Sequence, residues 1–164
     1  MALTRELAPN DIPALQALRR EALATAPWAF AASPEDDLAL SREILDHLQP
    51  TSVMFGALVG PELVGMVGVY RESKRKYRHR AQIWGMYVTP SARRGGLGAA
   101  LLEAALERCR SWNGVSQVRL CVSARAEAAK RLYERHGFET WAREPEALLV
   151  EGELLAEIHM MKRL

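Results

Sequence analysis

The stretch that decides the fold is VTPSARRGGLGAA, residues 88–100, which joins a short apolar strand to a helix. Arg93 and Arg94 stand just before the glycines at positions 95, 96 and 98. A helix start leaves backbone N–H groups unpaired and carries partial positive charge, and glycines let the backbone approach a bulky anion. The stretch therefore predicts a diphosphate site at a helix N-terminus, although a glycine-rich turn beside two solvated arginines explains this segment alone equally well.

Two other phosphate-binding loops are excluded by the residues that follow the glycines. A Walker loop needs Lys and then Ser or Thr after its last glycine, and here Gly98 is followed by Ala99 and Ala100. A dinucleotide fingerprint needs a further glycine three residues after Gly98, and that position is Leu101. The stretch therefore predicts neither a P-loop nucleotide site nor a Rossmann dinucleotide site.

The composition predicts one domain over residues 1–164, with 49% hydrophobic residues available for its core. The formal net charge of +2 implies no general attraction to nucleic acid or membranes. Cys109 and Cys121 are expected to be buried thiols in a reducing compartment, and no Cys/His cluster has the spacing of a metal site. Without a signal-peptide pattern or an apolar run of membrane-spanning length, a cytoplasmic protein with no membrane or nucleic-acid partner is expected.

Hydrophobic periodicity and turn residues predict a mixed sheet of the α/β class with helices on both faces. Strands are expected over residues 2–7, 53–59, 63–70, 83–88, 115–122 and 154–161, with another that starts at 138 and is interrupted by Pro145. Helices are expected between Asp11 and Pro27 and over residues 35–48, 96–112 and 125–136, the last ended by Gly137. The strand–helix–strand unit at 83–122 should be parallel and right-handed.

A second motif, AKRLYERHGF at residues 129–138, lies on a predicted helix and the turn after it. Alone, its spacing is explained by the core face of a helix, with Tyr133 a packed aromatic residue. Together, the two segments resemble the GNAT superfamily of acyl-CoA N-acyltransferases. Arg93, Gly96 and Gly98 match its Gln/Arg-x-x-Gly-x-Gly/Ala motif, and residues 129–138 match its Ala-x-x-Leu-Tyr-x-x-x-Gly-Phe motif.

The resemblance extends over nearly the whole chain, since residues 9–33 also resemble the opening of small, single-domain bacterial members. It implies a central sheet of about seven strands, mixed but mostly antiparallel, with helices on both faces. It also implies that the parallel strands 83–88 and 115–122 start paired and then splay apart, which leaves a place for the acyl donor.

The resemblance implies acetyl-CoA as the cosubstrate. Its pantetheine arm would hydrogen-bond to the backbone near Met86 and Val88 like an added strand, and its diphosphate would lie on the N–H groups of residues 94–99. Many members carry Asn where this chain has Ala126, which removes one expected contact to pantetheine. The expected cofactor contacts are Met86, Tyr87, Val88, Arg93, Arg94, Gly95, Gly96, Leu97, Gly98, Ala99, Ala129 and Tyr133.

The implied reaction is direct attack of a neutral primary amine, from a small molecule or a peptide, on the thioester carbonyl. A backbone N–H near Met86 or Tyr87 would stabilise the oxyanion, and Tyr133 would donate a proton to the leaving thiolate. Trp28 and Phe30 either line the acceptor pocket or pack in the core. A homodimer is expected from the family alone.

The general base departs from the family's pattern, because Gln82 stands where many members carry a Glu base. The remaining candidates are Glu72, His79, Glu157 and His159, or a water relay to a distant carboxylate. Glu157 and His159 alternate on the predicted last strand, so both side chains project from one face as possible bases or as an exposed structural pair. The alternative function is therefore a non-catalytic acyl-CoA-binding module with the same fold.

Overall fold

Seven strands form one sheet, in the order β1-β2-β3-β4-β5-β7-β6. The computed structural model describes the backbone of residues 1–164 and all side chains except those of Arg42 and His47. The strands are β1 Ala2–Glu6, β2 Ser52–Val59, β3 Glu62–Arg71, β4 Arg80–Val88, β5 Gln117–Ser123, β6 Glu139–Val150 and β7 Glu153–Arg163. The helices are α1 Ile12–Thr25, α2 Leu97–Ser111 and α3 Glu127–Arg135. All neighbouring strands are antiparallel except β4 and β5, which confirms the predicted fold class.

Each face of the sheet carries its own apolar core. α2 packs on one face because its apolar residues recur three and four positions apart. Its buried residues are Leu97, Leu101, Leu102, Ala105, Leu106 and Cys109. α1 and the connector after it cover the opposite face of β2, β3 and β4. The buried residues of this second core are Leu7, Leu15, Leu18, Ala22, Ala39, Ile44, Met54, Met66 and Tyr87. No helix in the described part of the chain combines the length and the apolar character needed to cross a membrane.

The predicted helix at residues 35–48 is wrong. Two short 3-10 segments, Leu38–Leu40 and Arg42–His47, occupy most of that range. Ser41 separates them in an extended conformation, and its hydroxyl accepts a hydrogen bond from the Glu43 N–H at 3.1 Å. A serine oxygen competes for backbone N–H groups in this way, so the chain starts a new turn at Ser41 and does not continue a helix.

The prediction that Pro145 interrupts its strand is also wrong, because β6 continues to Val150. The pairing of β6 with β7 shifts register between Glu144 and Leu148, and Glu146 within this bulge has a φ of +52°. β6 is the last strand of the sheet, and edge strands and bulges are where a strand accommodates proline. The result is a long β6–β7 hairpin that extends well beyond the bulge.

The parallel pair β4–β5 opens after three residues, as predicted. Pairing covers only Arg80–Gln82 of β4 against Gln117–Arg119 of β5. Further along, β4 stays with β3, but its register shifts at a bulge that includes Gly85, whose φ is +63°. A non-glycine residue is strained at this φ, so the glycine permits the bulge. The β5-facing edge of the second half of β4 is left without a strand partner.

Candidate active site

The loop before α2 forms a cradle of backbone N–H groups. Arg94 and Gly96 have left-handed backbones, with φ of +70° and +78°, on either side of Gly95. Such alternation turns successive N–H groups toward one side and favours an anion. The first helical hydrogen bond runs from the Ala100 N–H to the Gly96 carbonyl at 3.0 Å, so the N–H groups of the first helical turn have no acceptor within the helix. The loop therefore presents unpaired backbone N–H groups at the start of α2.

Arg93 connects this cradle to β4. Its Nε donates to the Val88 carbonyl at 2.8 Å, and its guanidinium carbon lies 5.6 Å from the centre of the Tyr87 ring. Arg94 is exposed on the loop. Arg93 therefore engages a carbonyl that was predicted to face pantetheine, and only its other N–H groups are available to an anion.

The Tyr87 side chain lies on the α1 side of the sheet. Its hydroxyl donates to Glu21 at 2.9 Å and lies 3.0 Å from the Thr25 hydroxyl. Burial, the largest cause, raises the pKa of Tyr87. Met86 packs toward the α2 core instead. The side chain of Tyr87 thus anchors α1, and only its backbone can take part in the predicted cofactor contact.

The second motif lies directly beside the cradle. A Cβ built on Gly98 would stand 3.3 Å from Cδ2 of Leu132 on α3, so the two motifs meet. Tyr133 is only 5% exposed and packs edge-on against Phe138, with ring centroids 5.8 Å apart. Burial raises the pKa of Tyr133, so the phenol keeps its proton. Ala129 is half-buried against the same core.

The base candidates Glu157 and His159 lie on one face of β7, as predicted. His159 stands opposite Cys121 of β5, with 3.1 Å between Nδ1 and Sγ, and its Nε2 lies 2.9 Å from Oε2 of Glu144. Ligand atoms of Glu144, Glu157 and His159 lie within 4.8 Å of one another. Burial raises the pKa of Glu157; His159 opposes this shift and Glu144 adds to it. We call Cys121, Glu144, Glu157 and His159 the β7 cluster.

Cys109 is buried as predicted, but the prediction that Cys121 is buried is wrong. Along β5, Leu120 and Val122 face the α2 core, so strand alternation turns Cys121 to the opposite, open face. Partial burial, with Glu157 and Glu144 nearby, raises the pKa of Cys121 to about 11. Its S–H therefore stays protonated and can donate to His159.

The other two base candidates do not join the β7 cluster. Glu72 accepts a hydrogen bond from the Gln82 amide at 3.4 Å, where β4 and β5 are still paired. His79 is exposed in the loop before β4 and accepts from Nε of Arg80 at 3.3 Å. Both therefore lie toward the closed end of the strand pair, away from the cradle.

A pocket of about 340 Å³ lies between the connector after α1 and the β6–β7 hairpin. Its lining residues are Leu23, Pro27, Phe30, Ala31, Ala32, Ser33, Pro34, Ala147, Leu148, Leu149, Val150 and Glu151. Phe30 thus lines the pocket and also packs against Tyr87, with centroids 6.4 Å apart. Trp28 is half-buried on a 3-10 turn, Pro27–Ala29, and does not line the pocket.

The structure contains a buried ion pair beneath Phe30 that the sequence did not predict. Nε and Nη2 of Arg19 on α1 donate to the Asp37 carboxylate at 2.8–3.1 Å, and the two side chains are 5% and 2% exposed. Phe30 stacks on the guanidinium, 4.6 Å from its carbon. The signal in the sequence is that Arg19 occupies a position of the apolar stripe that contains Leu15, Leu18 and Ala22.

Comparisons with known proteins agree with this geometry. Residues 15–138 match the model of the acetyltransferase (GNAT) family. A mycothiol acetyltransferase of Brachybacterium faecium is 36% identical over 121 residues, which are 71% of this chain and 36% of that protein. The chain thus spans about a third of the length of that relative. A mycothiol acetyltransferase of Salinispora tropica is 41% identical over 61 residues, which are 37% of this chain and 20% of that protein.

Solved structures share the fold along the whole chain. An acetyltransferase of the GNAT family from Streptococcus pneumoniae superposes with a TM-score of 0.88 at 24% identity, covering 100% of both chains. A phosphinothricin acetyltransferase from Sinorhizobium meliloti in complex with acetyl-CoA gives 0.86 at 20% identity, covering 99% of this chain and 88% of that one. The family match covers most of the chain and includes the cradle, α3 and the opened strand pair. The chain belongs to the acetyltransferase (GNAT) family.

Proposed function

We propose that the chain is an acetyl-CoA-dependent N-acetyltransferase that transfers an acetyl group to a primary amine, within one domain spanning residues 1–164. The observation that carries this proposal is that the N–H cradle, which follows the unpaired edge of β4, contacts α3, the helix that carries Tyr133. A diphosphate, an extended amide-containing arm and a thioester need these three features in this order. The relative from Sinorhizobium meliloti binds acetyl-CoA on the same fold.

In this mechanism, pantetheine pairs with the free edge of β4 and the diphosphate lies on the N–H groups of residues 94–99. The amine nitrogen attacks the thioester carbonyl carbon, and a backbone N–H near Met86 in the bulge stabilises the oxyanion. The new N–C bond forms and the C–S bond breaks. Tyr133 donates its hydrogen bond, and then its proton, to the leaving sulfur.

The β7 cluster supplies the base. An alkylamine has a pKa of about 10.4, so nearly all of it is protonated at neutral pH. Nδ1 of His159 lies 3.1 Å from Sγ of Cys121 and Nε2 lies 2.9 Å from Oε2 of Glu144, so both nitrogens of His159 are engaged. Glu157 therefore accepts the proton, directly or through water, while His159 positions Glu144. The two carboxylates also attract a cationic amine to this face of the sheet.

We expect Glu157→Gln to lower kcat/KM by about 100-fold at neutral pH, because general base catalysis is lost. Burial raises the pKa of Glu157, so the wild-type advantage should be absent where this carboxyl is protonated and should grow as pH rises through its pKa. The measurement is the ratio of wild-type to variant kcat/KM between about pH 5 and pH 9. This ratio cancels the ionisation of the amine itself.

The matched control for this profile is Glu153→Gln, on the same strand, where the carboxylate pairs with Arg125 at the surface. We expect no pH-dependent loss for that variant. For His159→Ala we expect a smaller loss than for Glu157→Gln, with the Glu157 transition moved to higher pH, because His159 no longer opposes the rise in the pKa of Glu157. A Glu157→Gln profile that parallels the wild type at every pH would assign the base elsewhere, for example to a water relay.

We expect Gly98→Asp to weaken acetyl-CoA binding by roughly 100-fold, since a carboxylate in the cradle repels the diphosphate at short range. Gly98→Asn is the matched control, because both side chains meet Leu132 equally but only Asp is charged. Asp is favourable in a first helical turn, so the variant should keep its thermal stability. Titration calorimetry with CoA measures both affinities; equal losses for Asp and Asn would exclude a charge effect.

The alternative function, a non-catalytic acyl-CoA-binding module, is kept open by Gln82 and by Ala126, which lacks the usual Asn side chain. Thiol release from acetyl-CoA over a panel of primary amines separates the two. An enzyme produces one thiol per acetylated amine. A binding module is stabilised by CoA but releases no thiol with any amine.

We further propose a cytoplasmic location and a homodimer. The two cysteines are not joined to each other, in keeping with a reducing compartment.

A dimer is supported by exposed Leu149 and Leu154, which face each other across the β6–β7 hairpin at the edge of the sheet. Sedimentation of wild type and of a Leu149→Glu, Leu154→Lys variant tests the dimer, which the variant should dissociate.

A further inference from the structure

The buried ion pair of α1 leaves one nitrogen of Arg19 without an acceptor. Nε and Nη2 are both satisfied by Asp37, whereas buried Nη1 has no hydrogen-bond partner among the described residues. A buried guanidinium N–H without an acceptor is destabilising, and native proteins rarely leave one unpaired. Nη1 is therefore a donor that is held in place without an acceptor from the protein.

This nitrogen is aimed at the bulge of β4. A Cβ built on Gly85 would stand 3.4 Å from Nη1, so this atom lies in contact distance of the β4 backbone at the bulge. Gly85 immediately precedes Met86, whose N–H region is the proposed oxyanion site. Arg19 lies on the α1 side of the sheet, the same side as the β7 cluster, where the amine approaches. The donor thus lies on the acceptor side of the reacting centre.

Phe30 separates this donor from the pocket. Its ring stacks on the Arg19 guanidinium and also lines the 340 Å³ pocket beside the β6–β7 hairpin. Phe30 follows a 3-10 turn in an extended conformation and is half-buried. Nη1 itself is buried, so a ligand in the pocket would reach it only after this ring has rotated away.

We propose that Arg19 Nη1 donates to an uncharged carbonyl oxygen of the acceptor, so that the preferred acceptor is an amine with a neighbouring amide or ester carbonyl. This inference rests on the proposed acetyltransferase function. The acceptor oxygen is uncharged because the Arg19–Asp37 pair is already neutral, and a carboxylate would bury an uncompensated negative charge beside it. A plain alkylamine, in turn, leaves Nη1 unpaired.

Three matched acceptors test the proposal: leucinamide, leucine and 3-methylbutylamine, which share one side chain and differ in the group beside the amine. Because that group also changes the pKa of the amine, each kcat/KM is expressed per unprotonated amine. We expect wild-type kcat/KM for leucinamide to exceed that for each of the others by about 10-fold or more, the value of one hydrogen bond to a charged donor. In Arg19→Lys the ammonium still pairs with Asp37, but the variant has no counterpart of Nη1. The preference for leucinamide should therefore shrink to within about threefold.

Equal wild-type kcat/KM for the three acceptors would overturn the inference without needing any variant. An equal loss on all three in Arg19→Lys, with a normal melting temperature, would also overturn it and would assign Arg19 to the thioester. A preference for leucine would show that the site favours a carboxylate over an uncharged oxygen, and this result would also overturn the inference. Acetyl-CoA binding without transfer to any amine of a wide panel would instead refute the acetyltransferase function, and the inference would fall with it.

Discussion

Tyr133→Phe is expected to lower kcat by about 100-fold or more while the KM for acetyl-CoA stays nearly constant. The phenol is buried beside the cradle, and burial raises its pKa, so it is protonated at every assay pH. Loss of a positioned general acid typically costs 10²–10⁴-fold, about 3 to 5 kcal/mol in the barrier. Phe keeps the ring that packs edge-on against Phe138, so binding and stability should change little.

Steady-state thiol release with one good amine measures this effect. Tyr77→Phe is the control, because Tyr77 is exposed in the loop before β4 and contacts Arg80 there. Its turnover should match the wild type. Turnover of Tyr133→Phe within about threefold of the wild type would show that Tyr133 serves packing alone and that the thiolate leaves without its proton.

Asp37→Ala is expected to lower the free energy of unfolding by about 3–5 kcal/mol, because it leaves the Arg19 charge buried without a partner. Domains of this kind are stable by only about 5–15 kcal/mol, so this is a large share of the total. Asp36→Ala is the matched control: Asp36 is exposed and accepts one hydrogen bond from the Ser33 N–H, so its loss should cost about 1 kcal/mol. Urea denaturation compares the two variants with the wild type.

A combined Arg19→Met, Asp37→Leu variant should be far more stable than Asp37→Ala, since it removes both charges together. If Asp37→Ala costs no more than Asp36→Ala, the ion pair is not buried in solution as it is in the structure. The connector over residues 27–47 would then be held on the sheet by its apolar contacts, which include Phe30, Ala39 and Ile44.

The fold was predictable wherever local spacing decides the structure. The apolar stripe of α2, the end of α3 before Gly137 and the hairpin of β2 and β3 all follow from side-chain periodicity and turn residues. The segment 35–48 was not predictable in this way, because Ser41 caps a new turn within a helix-like pattern. Pro145 was misjudged because its strand lies at the edge of the sheet, which the sequence does not show.

The same distinction between local and long-range contacts applies to the candidate site. The cradle and α3 carry their motifs in contiguous residues, so the sequence predicts both. The β7 cluster needs the registers of three strands: Cys121 meets His159 across β5–β7, and Glu144 meets Glu157 across β6–β7. No spacing in one segment predicts such a meeting. Arg19 was visible as a charge in an apolar stripe, but its partner Asp37 comes from an irregular connector.

The account's central claim is that the cradle and the opened strand pair hold acetyl-CoA for transfer to an amine. Its most direct test is to incubate the purified chain with acetyl-CoA and a panel of primary amines, following thiol release together with the mass of each amine. The account predicts enzyme-dependent thiol release matched one for one by acetylated amine, and loss of both in Gly98→Asp. Thiol release without acetylated amine, or acetyl-CoA binding with no transfer across the panel, would contradict it.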